Sequence, residues 1–301
     1  MRLIGMLPCR NEDWVLQASI RTAMEWCDAL VVLDHASTDD SYLIIDYLKE
    51  SEFGDRLICI SENDPSWAEM KHRQMMLDAA RQAGATHLAI IDADEILTAN
   101  VWAQVRSEAE RMRPNQLLQL PGYNLRDEQR KGTLDSYHLT GIWGDRWFST
   151  IFMDYAQLNW MGDRFHHREP MGGVFGMWRP IAQGRGGILH LWGADERRLK
   201  AKHALYKMTE TLRWPNKSRT EIDKLYSLAF EPRLNLQFDQ NWRYADVPDG
   251  WWAHREHLKM DSLPWQEVEC QGLYERYGAE RFQGLNLFDV CGEAVHEHLA
   301  R

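Results

Sequence analysis

His87-Leu88-Ala89-Ile90-Ile91-Asp92-Ala93-Asp94-Glu95 is the stretch on which the fold turns: a short apolar run that ends in three carboxylates. Runs of this length bounded by polar residues predict a buried strand. A buried strand that releases acidic side chains at its C-terminal end puts them at the rim of a sheet, where open α/β sheets bind ligands. Asp92 and Asp94 are two apart, so on extended backbone they point the same way. Two like charges on one side repel unless something positive lies between them. Hard oxygen ligands of this kind suit Mg2+ or Mn2+. A solvated acidic loop after a strand would look the same, and this stretch alone does not choose.

Upstream of it the pattern alternates. Leu3 to Leu7 is predicted as a strand closed by Pro8, and Asp13 to Trp26 as a helix with apolar Val15, Leu16, Ile20, Ala23 and Met24. Leu30-Val31-Val32-Leu33 is a buried strand ending in Asp34. Ser37-Thr38-Asp39-Asp40 has the form of a capping box and opens a helix over Tyr42 to Leu48. Leu57-Ile58-Cys59-Ile60 is a third strand. Ser66-Trp67-Ala68-Glu69 is a second capping box, before a helix striped by Met76, Ala79, Ala80 and Ala83 and stopped at Gly84. Strand-helix three times and then a strand predicts right-handed crossovers and a parallel sheet.

Downstream the pattern loosens. Val101 to Met112 is helical and ends before Pro114, and Leu117 to Leu120 is a short strand. Gly172-Gly173 and Gly184 to Gly187 are mobile turns by composition. Ile188 to Trp192 is a strand, and Asp195 starts a helix to about Arg213. The remainder is expected as helices with Trp-rich connections. The pattern divides the chain into a sheet domain over 1–194 and a helical C-terminal region over 195–301.

Composition excludes several classes. The 301 residues are 44% hydrophobic and 27% charged, the balance of a globular protein. The longest apolar runs fall short of the roughly 20 residues a membrane span needs, so no stable membrane insertion is expected. Met1 to Gly5 is too short and too quickly followed by polar residues for a signal peptide. Five cysteines without zinc or redox spacing predict reduced thiols and a cytoplasmic protein. A net charge of -10 argues against an extended non-specific nucleic-acid binder, but not against a local basic groove. The 14 tryptophans are core by default, with sugar or base stacking as the alternative.

Three predicted strand ends carry chemistry: Pro8-Cys9-Arg10-Asn11-Glu12, Asp34-His35-Ala36-Ser37-Thr38-Asp39 and Asp92-Ala93-Asp94-Glu95. The dinucleotide and P-loop glycine patterns are both missing. The order Arg-Asn-Glu, Asp-x-x-Ser-Thr-Asp, Asp-x-Asp-Glu resembles the family 2 glycosyltransferases of the A-type fold. It is closest to the subgroup that opens with Arg-Asn-Glu and carries Asp-Ala-Asp-Glu. The resemblance covers residues 3–97, thins to landmarks at 140–210, and ends by about residue 215.

The resemblance implies an α/β, Rossmann-like, mainly parallel nucleotide-sugar domain with a helical C-terminal region. It places Asp34 on the nucleotide base, with Pro8, Arg10, Asn11 and Glu12 beside the nucleotide. Helix capping is the alternative for Asp34. Asp94 becomes the direct ligand of Mn2+ or Mg2+, and Asp92 contacts ribose or the metal through water. Of Lys71 and Arg73, which diverge on a helix, Arg73 is favoured for the nucleotide; a solvated helix face is the alternative. His190 matches a C-terminal histidine that completes the metal sphere; a satisfied buried histidine is the alternative. Glu169, in the interrupted pair His167-Arg168-Glu169, is the candidate base, with Asp145, Asp163 and His167 as competitors.

The function expected is transfer of a sugar from a nucleotide donor, UDP-linked by family habit, to an acceptor hydroxyl with inversion. The acceptor is a saccharide or glycolipid precursor. A hydroxylated base of modified DNA is the alternative, bound by Arg164, His166, His167 and Arg168 beside Trp160 and Phe165. Trp143, Trp147 and Trp160 could stack on sugar. A nucleotidyltransferase and a non-catalytic nucleotide-sugar-binding protein are further rivals. Oligomeric state leaves no signal in the sequence.

Overall fold

The computed structural model describes residues 1–126, 134–139, 146–173, 175–227 and 244–291. Trp143 and Asp145 lie outside them. In chain order the strands are β1 (Leu3–Cys9), β2 (Ala29–His35), β3 (Leu57–Glu62), β4 (His87–Ile90), β5 (Glu95–Leu97), β6 (Gln116–Arg126), β7 (Ser136–His138), β8 (Arg146–Met153), β9 (Gly176–Trp178), β10 (Ile188–His190) and β11 (Tyr244–Asp246). The α-helices are α1 (Leu16–Trp26), α2 (Ser41–Leu48), α3 (Glu69–Gln82), α4 (Trp102–Glu110), α5 (Glu196–Arg213), α6 (Arg219–Ser227) and α7 (Trp265–Tyr277). Two compact units result. The first holds Met1–Tyr123, Asp145–His190 and Val247–Met260; the second holds Asn124–Gly144, Leu191–Asp246 and Asp261–Arg301.

The first unit is an α/β fold on a sheet ordered β6-β8-β4-β1-β2-β3. β4, β1, β2 and β3 are parallel, with Ile4 opposite Ala29 and Leu88, and Val31 opposite Ile58. β8 and β6 extend this core antiparallel, and β9 pairs parallel with β6. The three crossovers run through α1, α2 and α3, as the alternating apolar pattern requires.

Alternation along the strands sorts the core onto two faces. Leu3 and Leu7, with Leu30 and Val32, pack with Leu16, Ile20 and Met24 of α1 and Val105 and Ala109 of α4. Ile4, Met6, Val31 and Leu33 pack instead with Met70, Met76, Leu77 and Ala80 of α3. Each such fully buried side chain contributes about 1.5–3 kcal/mol. Gly5 sits centrally in β1 because a Cβ there would meet Leu30 Cδ1 at 2.6 Å and Ile91 Cδ1 at 3.0 Å.

Neither capping-box serine caps its helix. α2 starts at Ser41 and α3 at Glu69, and the residues before them make no side-chain cap bond. Ser37 bonds to the loop after β1 instead, Asp39 is shared between that loop and Ser41 N at the start of α2, and Glu69 bonds to Arg73 and to the backbone of His166. Gly186 and Gly187 are packed, whereas Gly184 faces open space. Gly187, at φ 154, exchanges hydrogen bonds with Thr98, and a Cβ on it would meet Pro121 O at 2.1 Å. This close approach sets the start of β10.

In the second unit, Asp195 caps α5 by accepting from Arg198 N at 2.6 Å. α5 packs on α7 through Ala201, Ala204, Leu205, Met208 and Cys270. Lys207 is fully buried, its charge met by Asp223, Ser227 and the Asn286 carbonyl at 2.7–2.9 Å. Leu125 and Arg126 pair with β7, and β7 pairs with β11. Among the described residues, no helix is long and apolar enough to cross a membrane, and all five cysteines are free thiols.

Candidate functional site

The site is built at the C-terminal ends of β1, β2 and β4, all in the first unit. The loop after β1 turns at Asn11, whose φ of 54 lies in the left-handed region. Its Oδ1 accepts from Thr38 N at 2.6 Å and Asp39 N at 3.3 Å, and its own N donates to Ser37 Oγ at 2.9 Å. Glu12 N donates to Ser41 Oγ and Asp13 N to Asp39 Oδ2. The loops after β1 and β2 are thereby fastened together. Asp34 stands between them, opposite Cys9 in register, with Oδ1 accepting from Ser37 N at 3.3 Å. Burial, with Asp34 adding to it, pushes the Cys9 thiol up, so it stays protonated. Arg10 donates to the Pro65 carbonyl and Glu12 accepts from Trp14 Nε1. Pro8 ends the core of β1 opposite Leu33.

β4 ends at Ile90, and a turn closed by Glu95 N donating to Asp92 O presents the acidic residues. Asp92 is gripped from both sides: Oδ1 accepts from Arg73 Nη2 at 3.2 Å and Oδ2 from Arg168 Nη1 at 2.9 Å. Burial opposes its ionisation, but Arg73 and Arg168 outweigh burial and hold the carboxyl well below the usual range. Lys71, two residues from Arg73, pairs with Glu62 at the surface. Arg73 is the one that faces the carboxylates.

Arg168 is the centre of the cluster. Its Nη1 and Nη2 donate to Glu95 at 2.6 and 2.7 Å, Nη2 also to Ile90 O at 3.0 Å, and Nε to Ser149 O at 2.7 Å. Its guanidinium lies 5.5 Å from the Phe148 ring centroid. Nothing in the sequence announces this role: Arg168 is 76 residues from Asp92, and the only cue is its place beside Glu169. Burial, reinforced by Asp92 and Asp94 against the pull of Arg168, pushes Glu95 up to about 7. The four carboxylates of Asp92, Asp94, Glu95 and Glu169 thus gather round the guanidinium groups of Arg73 and Arg168. Arg73 is also shared with Glu69 at 3.1 Å, so the surplus charge is negative.

Asp94 and His190 meet. β10 pairs antiparallel with β5, His190 opposite Glu95, and this brings His190 Nε2 to 3.9 Å from Asp94 Oδ1. The imidazole is set edge-on to Phe148, 5.0 Å between centroids. Both side chains are mostly buried, 8% exposed for Asp94 and 17% for His190. A shared cation with bonds of about 2.0–2.2 Å would hold two ligands up to about 4.2 Å apart, so the pair fits one ion. Asp92, with both oxygens taken by arginine, is not arranged as a direct ligand.

Glu169 follows Arg168 and is oriented by Ser149, whose Oγ donates to Glu169 Oε1 at 2.7 Å. Ser149 is in turn tied to Gln119 Nε2 at 3.2 Å, and Gln119 to Arg179. Ser149 holds both Arg168, through its carbonyl, and Glu169, through its hydroxyl, which puts Glu169 beside the acidic cluster. Of the competitors, His167 is half-buried and Asp163 exposed. Trp160 is buried against Phe152, 5.9 Å between centroids. Trp147 lies under Arg179, 4.6 Å from its guanidinium.

No protein-family model matches the chain, and no curated protein matches it. Several solved structures are similar over part of their length. Glucosyl-3-phosphoglycerate synthase from Mycobacterium tuberculosis, solved with Mn2+, UDP and phosphoglyceric acid, is 17% identical, with 42% of this chain covering 44% of that one at a TM-score of 0.31. The same enzyme solved with Mg2+ and UDP is 19% identical, with 44% of this chain covering 45% of that one at a TM-score of 0.29. 4-Diphosphocytidyl-2C-methyl-D-erythritol synthase is 12% identical, with 50% of this chain covering 75% of that one at a TM-score of 0.34. The chain therefore spans less than half the length of the glucosyl-3-phosphoglycerate synthase structures.

Proposed function

We propose that the protein is a divalent-metal-dependent glycosyltransferase that moves a sugar from a UDP-linked donor to an acceptor hydroxyl with inversion. The donor machinery lies within residues 1–194. One observation carries the reading: Asp94 and His190, 3.9 Å apart, at the negative rim of a parallel sheet. Mn2+ or Mg2+ would be held by these two, and when bound it offsets charge on the departing diphosphate. An imidazole in the set favours Mn2+ over Mg2+.

The chain's own residues do the rest. Asp34 accepts from the pyrimidine N–H, a charge-assisted bond. Asn11 fastens the loop carrying Arg10 and Glu12, which follows Pro8 at the end of β1, against the loop after Asp34, which shapes the nucleotide slot. Asp92, fixed by Arg73 and Arg168, presents its carboxylate to the ribose. Glu169, oriented by Ser149, takes the acceptor's proton as that oxygen bonds to the anomeric carbon and the bond to the diphosphate breaks. The acceptor is a saccharide or glycolipid precursor. A DNA acceptor is less well supported, because Arg168 and Trp160 are spent inside the protein.

A thermal-shift panel of nucleotide sugars, with and without Mn2+, tests this. Stabilisation is expected only when nucleotide and cation are both present, and D94N should lose it while melting like the parent without ligand. Equal stabilisation of D94N would refute the site. For the base, E169Q should lower turnover by about 100-fold or more with donor affinity unchanged; parental turnover would move the base elsewhere.

A further inference from the structure

The segment Val247–Met260 belongs to the first unit and is tied down at both ends. Ala99 N donates to Trp251 O at 2.9 Å, Lys259 N donates to Trp14 O at 2.8 Å, and the Trp251 ring packs on Tyr123 at 4.7 Å. Between these anchors runs His254-Arg255-Glu256-His257. His254 sits in the left-handed region, φ 59 and ψ 19, and opens a single 3-10 turn over Arg255–His257. That turn brings one ligand atom each from His254, Glu256 and His257 within 4.8 Å of one another. Glu25 of α1 lies outside that 4.8 Å set but adjoins it, its Oε1 3.4 Å from His254 Nε2, while His257 Nε2 is 3.6 Å from Glu256 Oε1. Bonds of about 2.0–2.1 Å to a tetrahedral zinc ion place two donors about 3.4 Å apart. The two imidazole rings lie nearly parallel, 25° between planes and 6.2 Å between centroids.

We propose that His254, His257, Glu256 and Glu25 form a second metal site, sharing no residue with the Asp94–His190 pair. Two imidazoles and two carboxylates suit Zn2+ rather than Mg2+ and balance its charge. The neighbouring cation Arg21 is itself paired with Glu52, and Arg255 points over Trp252, 5.5 Å from its ring. Three ligands come from the segment and one from α1, so the ion fastens the segment to that helix.

The test is calorimetric titration of Zn2+ into chelator-treated full-length protein carrying D94N, which takes the other site out of the count. This parent should bind one equivalent. H254A/H257A in the same background should lose affinity by at least about 100-fold, the figure reached even by removing an outer-shell partner. E25Q, on an exposed position of α1, should weaken binding without loss of fold. Zn2+ should also slow proteolysis between residues 247 and 260 in the parent and not in H254A/H257A. Zinc affinity in the double variant equal to the parent's would overturn the proposal. Should the double variant unfold, E25Q decides: affinity and protease protection indistinguishable from the parent's would overturn it as well.

Discussion

Replacing Arg168 by methionine keeps the aliphatic stem and removes the cation that holds the acidic cluster together. The wild-type guanidinium donates to Asp92, to both oxygens of Glu95, and to the carbonyls of Ile90 and Ser149. Arg168 and Glu95 are 16% and 2% exposed, so the pair is buried. Removing one partner of a buried pair costs about 3–5 kcal/mol, because the other charge is stranded. Asp92 is 35% exposed and keeps Arg73, so its share of the loss is small. R168M should therefore be about 3–5 kcal/mol less stable than wild type at neutral pH.

The pH dependence has a definite sign. Glu95 is already pushed up from 4.5 to about 7, and losing Arg168 pushes it further. A carboxyl raised in the folded state stabilises the fold fully below its unfolded value, and that contribution is lost as pH rises through the folded value. The R168M deficit should thus be widest near about pH 8 and shrink toward about pH 5 as Glu95 takes up its proton. Urea denaturation followed by tryptophan fluorescence at both pH values measures it. R168K should fall between, because a lysine cannot reproduce the planar fork. A deficit under about 1 kcal/mol at the higher pH, or one that grows on acidification, would refute the reasoning.

Two further outcomes follow from the same geometry. N11A strands the backbone donors of Thr38 and Asp39 and leaves alanine at φ 54, so it should cost about 2–4 kcal/mol in thermal denaturation. N11G should cost less, since glycine accepts that backbone, and equal losses would mean conformation is not part of the cost. His72, lowered from 6.5 to about 4 by burial and then by His35, is neutral in the fold. A histidine depressed in the folded state lends stability above its unfolded value that is lost as pH falls toward the folded one. H72L should flatten stability between about pH 6.5 and pH 4.5 by about 2 kcal/mol, and an unchanged acid limb in equilibrium denaturation would show that the loss arises elsewhere.

The parallel core was legible because β1, β2 and β4 are short apolar runs buried on both faces, and its helices carry apolar stripes at helical spacing. Leu30 to Leu33 and His87 to Ile90 admit little else. The capping serines were misread for a physical reason. Short polar side chains satisfy backbone donors anywhere within reach: Ser37 takes the amide of Asn11 in the folded loop after β1, and Asp39 takes that of Asp13 along with that of Ser41 in α2. In the candidate site, the order of acidic strand ends pointed to Asp34, Asp92 and Asp94, and the resemblance pointed to His190, which the fold sets against Asp94. Arg168 was singled out only as part of a basic groove for DNA, and its place among the carboxylates was invisible, because the pairing of a loop arginine with a distant strand end is a long-range contact with no local pattern. The same holds for Ser149, an ordinary strand residue until Glu169 is seen beside it.

The first unit draws on three separated stretches of chain, the last of them Val247–Met260. During vectorial synthesis the ribosome has therefore released most of the polypeptide before the partner of Ala99 and Trp14 exists. The nascent sheet waits with those backbone groups uncovered while the intervening helices are made. A C-terminal truncation ahead of residue 247 would thus yield an unfinished N-terminal body, and expression trials that aim for the first unit alone should retain the chain through Met260 or graft that stretch back.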